Sequence, residues 1–388
     1  MPSIRPMVTN PGGVVDPDDL VGRERELARL LKSVNTGGAK LLGDRRMGKT
    51  SLLNRLAKDL RAVGHGVIRI SAEATDAEQF SREMIAELQG SPHLNGHLAR
   101  WKGQLGGEVK VAIGPAGIVL KGMVARDRPP VIDLFHACVA AAAELRPYRL
   151  VFIFDEITAL AAKLAEADPA APEDFLRSLR VPRQQLDGIS MVMAGSVGLH
   201  HVLVDKSPVN DLDGIRVGPL APDDALYLTR CLLRGAAVAP DNEQAIGELI
   251  VEQTCAIPFY IHKLVQELSD RGMRHLDTRQ VVEVVDDAIR EDLWEIRHYI
   301  DRIPDYYKQH AETVLLMLDE YAAASEPLTV EEVRMRVAAQ STDVPNRNTV
   351  LSLVMRLEDD HYLTRVGRAD RFATSLLRRA WLELRRPE

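Results

Sequence analysis

Apolar residues in the first 220 positions fall into two kinds of run. Short, nearly continuous ones, Ala39-Lys40-Leu41-Leu42, Val67-Ile68-Arg69-Ile70, Leu150-Val151-Phe152-Ile153-Phe154 and Ile189-Ser190-Met191-Val192-Met193-Ala194, have the length and composition of buried parallel strands. Between them, apolar residues recur every three or four positions over 51–60, 77–88, 131–144 and 172–186, the spacing of one helix face. Strand and helix therefore alternate, which predicts an α/β domain built on a parallel sheet over residues 20–220. A last short strand at 215–217 is stopped by Gly218-Pro219.

Two stretches interrupt this alternation. Residues 106–122 carry two short alternating runs around Gly114-Pro115-Ala116-Gly117, a β-hairpin insertion that suits an interaction surface or a small structural ribbon equally well. Residues 1–19, with their prolines and glycines, read as an extended arm. Asp16-Pro17-Asp18-Asp19 then reads as a capped helix start, followed by Leu27, Leu30, Leu31 and Val34 at helical spacing.

Beyond residue 221 the pattern is helical. Asp223 and Asp224 cap one helix, residues 241–252 make a second, and Ile257-Pro258-Phe259-Tyr260 opens a third, which predicts an α-helical lid domain over 221–302. Residues 303–388 read as three helices followed by two short strands, the order of a winged helix. Its second helix opens at Leu328-Thr329-Val330, its third at Asn346-Arg347-Asn348, and its wing is 362–366, a turn over 367–370, and 371–373.

A length of 388 residues suits two or three domains. The net charge of −7 excludes a globally basic nucleic-acid coat and leaves room for a local basic face. One such face is the C-terminal stretch holding Arg365, Arg368, Arg371, Arg378, Arg379, Arg385 and Arg386. Glu358, Asp359 and Asp360 follow the third helix directly and oppose phosphate binding there, so DNA contact and interdomain packing both remain open for this part. Cys138, Cys231 and Cys255 are widely spaced, form no metal-ligand pattern and fit a reducing cytoplasm better than a disulfide framework. No run of about 18 apolar residues is present, so no membrane span is expected.

The chemistry-bearing stretch is Gly43-Asp44-Arg45-Arg46-Met47-Gly48-Lys49-Thr50. It completes the pattern G-x-x-x-x-G-K-[ST] between a strand and a helix, the arrangement that cradles nucleotide phosphates. Backbone N–H groups of Gly43, Arg45, Arg46, Met47, Gly48, Lys49, Thr50 and Ser51 surround the anion at the positive end of the helix, and the Lys49 ammonium reaches the β and γ oxygens. The Thr50 hydroxyl then faces Mg²⁺. A second signal is the apolar strand ending in Asp155-Glu156. At the carboxyl edge of a parallel sheet, Asp155 is placed to hold Mg²⁺ and Glu156 to orient and deprotonate a water. Arg177, Arg180 and Arg183 share one helix face, as a solvated surface or with one of them as an arginine finger.

With these residues in place the chain resembles the STAND/AAA+ P-loop ATPases, in the branch often called archaeal-type ATPases. The resemblance rests on Gly43–Leu53, Asp155-Glu156, Gly195-Ser196, and the order of helical lid and winged helix, and it spans roughly residues 19–388. It implies that Val21, Gly22 and Arg23 pack on the adenine, that Ser196 senses the γ-phosphate, and that Pro258 lies near the nucleotide; His262 is either a phosphate contact or an ordinary lid residue. It also implies an ATP/ADP-driven, Mg²⁺-dependent ATPase switch that forms homo-oligomers or controls a separate sensor or effector protein, as in defence or mobile-element systems. An alternative is an ATP-controlled DNA-binding protein of the initiator or transposition-regulator type.

Overall fold

The computed structural model describes residues 3–71, 87, 110–114, 117–121, 149–168, 170–185, 188–195, 209–340 and 346–385. Apart from Glu87, the helix expected at 77–88 lies outside these residues, as do the helix expected at 131–144 and Ser196. The chain divides into two compact units, one formed by Asp16–Gly43 and Lys49–Val217, the other by Met1–Val15, Asp44–Gly48 and Gly218–Glu388.

The first unit is an α/β layer structure. Its elements are α1 (Glu24–Val34), β1 (Gly38–Leu42), α2 (Lys49–Ala62), β2 (Gly66–Ser71), β3 (Lys110–Gly114), β4 (Gly117–Lys121), β5 (Leu150–Asp155), α3 (Ile157–Ala167), α4 (Ala171–Gln185), β6 (Ile189–Ala194) and β7 (Asp213–Arg216). Five strands form one parallel sheet in the order β2-β5-β6-β1-β7, so the carboxyl ends of β1 and β5 lie on the same edge with only β6 between them. All six residues of β5 and all six of β6 are buried, which is why both strands read as continuous apolar runs. Helix α2 buries Leu52, Leu53, Leu56 and Leu60, each contributing about 1.5–3 kcal/mol on leaving water, and this fixes its N-terminus at the end of β1.

The hairpin expected at 106–122 is present as the β3/β4 ladder, paired from Lys110↔Lys121 to Gly114↔Gly117. The helix start expected at 16–27 is divided. Asp16 caps a 3₁₀ turn over Pro17–Asp19, and α1 begins only at Glu24, because Gly22 takes a left-handed φ of +68° that no continuous helix contains. Helix α3 carries no advance signal beyond its apolar residues.

The second unit is mainly helical: α5 (Pro222–Gly235), α6 (Glu243–Gln253), α7 (Pro258–Asp270), α8 (Thr278–Arg290), α9 (His298–Asp301), α10 (Ile303–Tyr307), α11 (Ala311–Ala323), α12 (Val330–Ala338), α13 (Arg347–Asp359) and α14 (Ser375–Leu384). A two-residue parallel pair, β8 (Ala239–Pro240) with β9 (His275–Leu276), ties two of its connections. Capping follows the sequence: Asn242, Asp277, Thr329, Asn346 and Thr374 each accept a backbone N–H at a helix start, and Thr329 with Glu332 closes a capping box. The hairpin β10 (Leu363–Val366) and β11 (Ala369–Phe372) turns on Gly367-Arg368 alone, tighter than the four-residue turn expected, since Gly367 supplies a φ of +63°. Leu328 bridges Asp370 as a third, one-residue strand. Helix α14, absent from the expected order, buries Leu376, Leu377, Ala380 and Trp381.

The segment before Val15 packs on this unit. Met7 is 6% exposed and its N–H donates to the Cys231 carbonyl at 3.0 Å; the Asn10 N–H donates to His262 Nδ1 at 3.1 Å. Gly235 makes the approach close: a Cβ there would lie 1.8 Å from the Met7 carbonyl oxygen. Among the described residues no helix is long and apolar enough to cross a membrane.

Candidate nucleotide site

The segment between β1 and α2 is the loop that the sequence pattern singles out. Gly43 leaves β1 with its α-carbon against the backbone of β7's extension: a Cβ would sit 2.2 Å from the Val217 carbonyl oxygen, so only glycine fits. Lys49, 6% exposed, begins α2 and donates from Nζ to the Gly43 carbonyl at 2.8 Å, closing the loop across its mouth. Gly48 has a φ of +84°, and Arg46 a φ of +72°. For a residue with a side chain the left-handed region costs about 1–2 kcal/mol, so Arg46 must be held there by its surroundings.

Beside the loop in the same unit is the tip of β5. Asp155 is 4% exposed, and burial, the largest influence, pushes its carboxyl above the usual range with help from the neighbouring Glu156 charge, whereas Thr50, Arg69 and Lys49 favour its charged form. The residues expected to act together, Lys49, Thr50 and Asp155, are therefore brought together. Asp155 Oδ2 accepts from Arg69 Nη2 at 3.2 Å, while buried Oδ1 has no hydrogen-bond partner. An orphaned carboxylate oxygen beside a threonine hydroxyl is a hard-oxygen donor set that fits Mg²⁺. Among the described residues no group of three His, Cys, Asp or Glu is placed to hold a metal.

Glu156 follows at a φ of +54°, in the left-handed region, as the residue before α3. Such a conformation at a strand tip turns the chain sharply into the helix and sets the acid one residue beyond Asp155. Gly195 directly follows β6, and a Cβ there would lie 2.4 Å from the Thr158 hydroxyl oxygen, which is itself buried and without a hydrogen-bond partner. Gly22 has the positive φ noted above, and Arg23, 3% exposed, pairs with Glu26 at 3.1 Å. Arg177 is exposed and Arg180 lies 3.9 Å from Asp211.

The loop's middle residues belong to the other unit. There Met47 is buried, Arg45 is exposed with its N–H donating to Asp44 Oδ1 at 2.8 Å, and Asp44 is 4% exposed. Pro258 stands at the first position of α7 and Phe259 and Tyr260 follow it. His262 is buried, and burial pushes its pKa down to about 4.

Two site residues escaped the sequence reading. Arg69 is the one charged residue in the apolar run of β2, two positions before that strand ends beside Asp155, and a lone cation in a buried strand is the signal that marks it. Thr158 had no such signal.

No protein-family model matches the sequence, and no curated protein matches it. Among solved structures, the Walker-type ATPase PABY2304 of Pyrococcus abyssi matches with a TM-score of 0.62 and 19% identity, over 97% of this chain and 99% of that one. The chain shares the fold of that structure. Cdc6p of Pyrobaculum aerophilum, with a TM-score of 0.44, 16% identity and coverage of 97% and 98%, and the ORC2 protein of Aeropyrum pernix, with 0.45, 13%, and 96% of each chain, are more distant. Within the shared fold, the glycine-bounded loop and the acidic strand tip occupy the carboxyl edge of the sheet, where open α/β folds bind their ligands.

Proposed function

We propose that the chain is a Mg²⁺-dependent ATPase acting as a nucleotide-driven switch. The observation that carries this reading is the convergence of Lys49, Thr50 and buried Asp155, with Glu156 next in line, at one edge of a parallel sheet. On binding ATP, Lys49 exchanges the Gly43 carbonyl for β and γ oxygens, and the loop N–H groups take the remaining phosphate charge. Glu156 accepts a proton from the water that attacks the γ-phosphorus, as the bond to the bridging oxygen breaks and ADP leaves. Thr50 and Asp155 would hold Mg²⁺, which supplies neutralisation of the charge that develops on the phosphate oxygens. The likeness to a Walker-type ATPase over nearly the whole chain supports the same reading. Lys49→Ala should abolish binding of ATP and ADP in calorimetry. Glu156→Gln should bind ATP, hydrolyse it at least about 100-fold more slowly, and run as a larger species in light scattering with ATP than with ADP. Unchanged hydrolysis in both variants rejects the proposal.

A second reading, control of DNA binding by nucleotide, is favoured by one feature. The three-helix and hairpin arrangement of α11–α13 with β10 and β11 suits a winged helix, and Arg347, Arg356, Arg368 and Arg371 are exposed on α13 and the hairpin. Arg365 is engaged, by Glu358 and by Asp370 at 2.6 Å, so it is excluded from the set that meets phosphates. Salt-dependent binding of duplex DNA is its test.

A further inference from the structure

The pattern G-x-x-x-x-G-K-[ST] leaves the four middle residues of the loop unspecified, and two of them, Asp44 and Arg46, have side chains engaged far along the chain. The Arg46 guanidinium donates from Nη1 to the Tyr260 hydroxyl at 2.9 Å and to the Trp294 carbonyl at 2.7 Å, and from Nη2 to the Glu295 carbonyl at 3.4 Å and Oε2 at 3.3 Å. Its central carbon lies 4.5 Å above the centre of the Phe259 ring. Both faces of the contact are firm: Tyr260 is 4% exposed and Trp294 fully buried.

Asp44 is anchored separately. Its Oδ2 accepts from the Tyr299 hydroxyl, and Arg302 Nη1 stands 3.9 Å from its Oδ1. Arg302 in turn donates from Nε to the Tyr362 hydroxyl at 2.7 Å and from Nη2 to the Asp360 carbonyl at 3.2 Å, and it lies over the rings of Tyr299 and Tyr362 at 4.5 and 4.8 Å. The loop is thus joined to the segment 294–302 and, through Arg302, to the turn between α13 and β10.

We infer that Asp44 and Arg46 are positioning residues of the phosphate loop, whose side chains fix its backbone for nucleotide by anchoring it to Tyr260, Trp294 and Tyr299. This rests on the reading that the loop binds nucleotide. The physical reason is preorganisation. Backbone N–H groups converge on an anion only in one loop shape, that shape includes Arg46 in the left-handed region, and an unanchored loop leaves it. A direct role of the Arg46 guanidinium on phosphate is the competing account, and it requires giving up four hydrogen bonds and the Phe259 ring.

The test is equilibrium binding of a fluorescent ADP to the full chain, with hydrogen exchange of the peptide spanning 43–49 measured on the nucleotide-free protein. Arg46→Met is expected to weaken binding about thirtyfold, and Tyr260→Phe and Tyr299→Phe, which keep the rings and lose only hydroxyls, about fivefold each. The Arg46→Met/Tyr260→Phe double variant should be weaker than Arg46→Met alone by less than the Tyr260→Phe factor, the mark of a shared contact. All three single variants should speed exchange across 43–49. Should Tyr260→Phe and Tyr299→Phe bind within twofold of wild type and leave exchange unchanged, the inference is overturned and Arg46 contacts phosphate directly. Absence of nucleotide binding by wild-type protein would instead reject the ATPase reading, and the exchange rates would still decide the anchoring.

Discussion

Single residues in this chain divide by the range over which they act. Gly43, Lys49, Thr50 and Asp155 were legible in the sequence because their roles are local: a tight turn, a helix start, a strand tip. Asp44 and Arg46 were legible only as members of the loop, since their long-range hydrogen-bond partners lie 214 to 255 residues away and no spacing rule reaches that far. His262 is similar. Its Nδ1 accepts the Asn10 N–H, so the neutral ring is the form that the fold requires, and its pKa falls from 6.5 to about 4 through burial. Below pH 6.5 the unfolded chain takes up a proton that the folded chain refuses, so stability falls as pH drops from 6.5 to 4 and levels off beneath that. The full effect is up to about 3 kcal/mol at about 1.4 kcal/mol per pKa unit. Denaturant midpoints measured from pH 7 to pH 4 should show this slope, and His262→Gln should flatten it.

At the scale of elements, apolar periodicity identified the strands of the parallel sheet and most helices of the second unit, because each buries one face or two in a regular way. It failed where a single backbone feature overrides the pattern: the positive φ of Gly22 that delays α1, and the two-residue turn at Gly367. It also gave no hint that the segment around Met7 and Asn10 packs against α5 and α7, since an irregular segment has no period. Gly235→Ala tests that packing. The added methyl collides with the Met7 backbone, so the segment must leave or α5 must shift, at a cost of about 1–3 kcal/mol. Limited proteolysis should cut before residue 15 faster in this variant than in wild type, with a lower melting temperature; equal rates would mean that the segment is not held there.

Across the whole molecule, the net charge of −7 sets the background against which any nucleic-acid contact must act. If the C-terminal part binds duplex DNA, the exposed arginines at 368 and 371 supply the attraction, and binding should fall steeply with salt. Replacing either with Gln should lower the slope of log K against log salt by about 1 each, without changing nucleotide affinity. Arg365→Gln should instead lower stability, because it leaves Asp370, which is fully buried, without its cation.

The distance along the chain between the phosphate loop and its anchors has a consequence for biosynthesis. The loop and both strands flanking the pocket are translated within the first half of the polypeptide, whereas Tyr260, Trp294 and Tyr299 emerge from the ribosome later, roughly ten to fifty seconds after Arg46 at ordinary elongation rates. A nascent chain therefore passes through a stage in which the glycine-lysine turn is finished but ungripped. On the proposed nucleotide-binding reading, the loop reaches its anchored shape only once those later residues have folded.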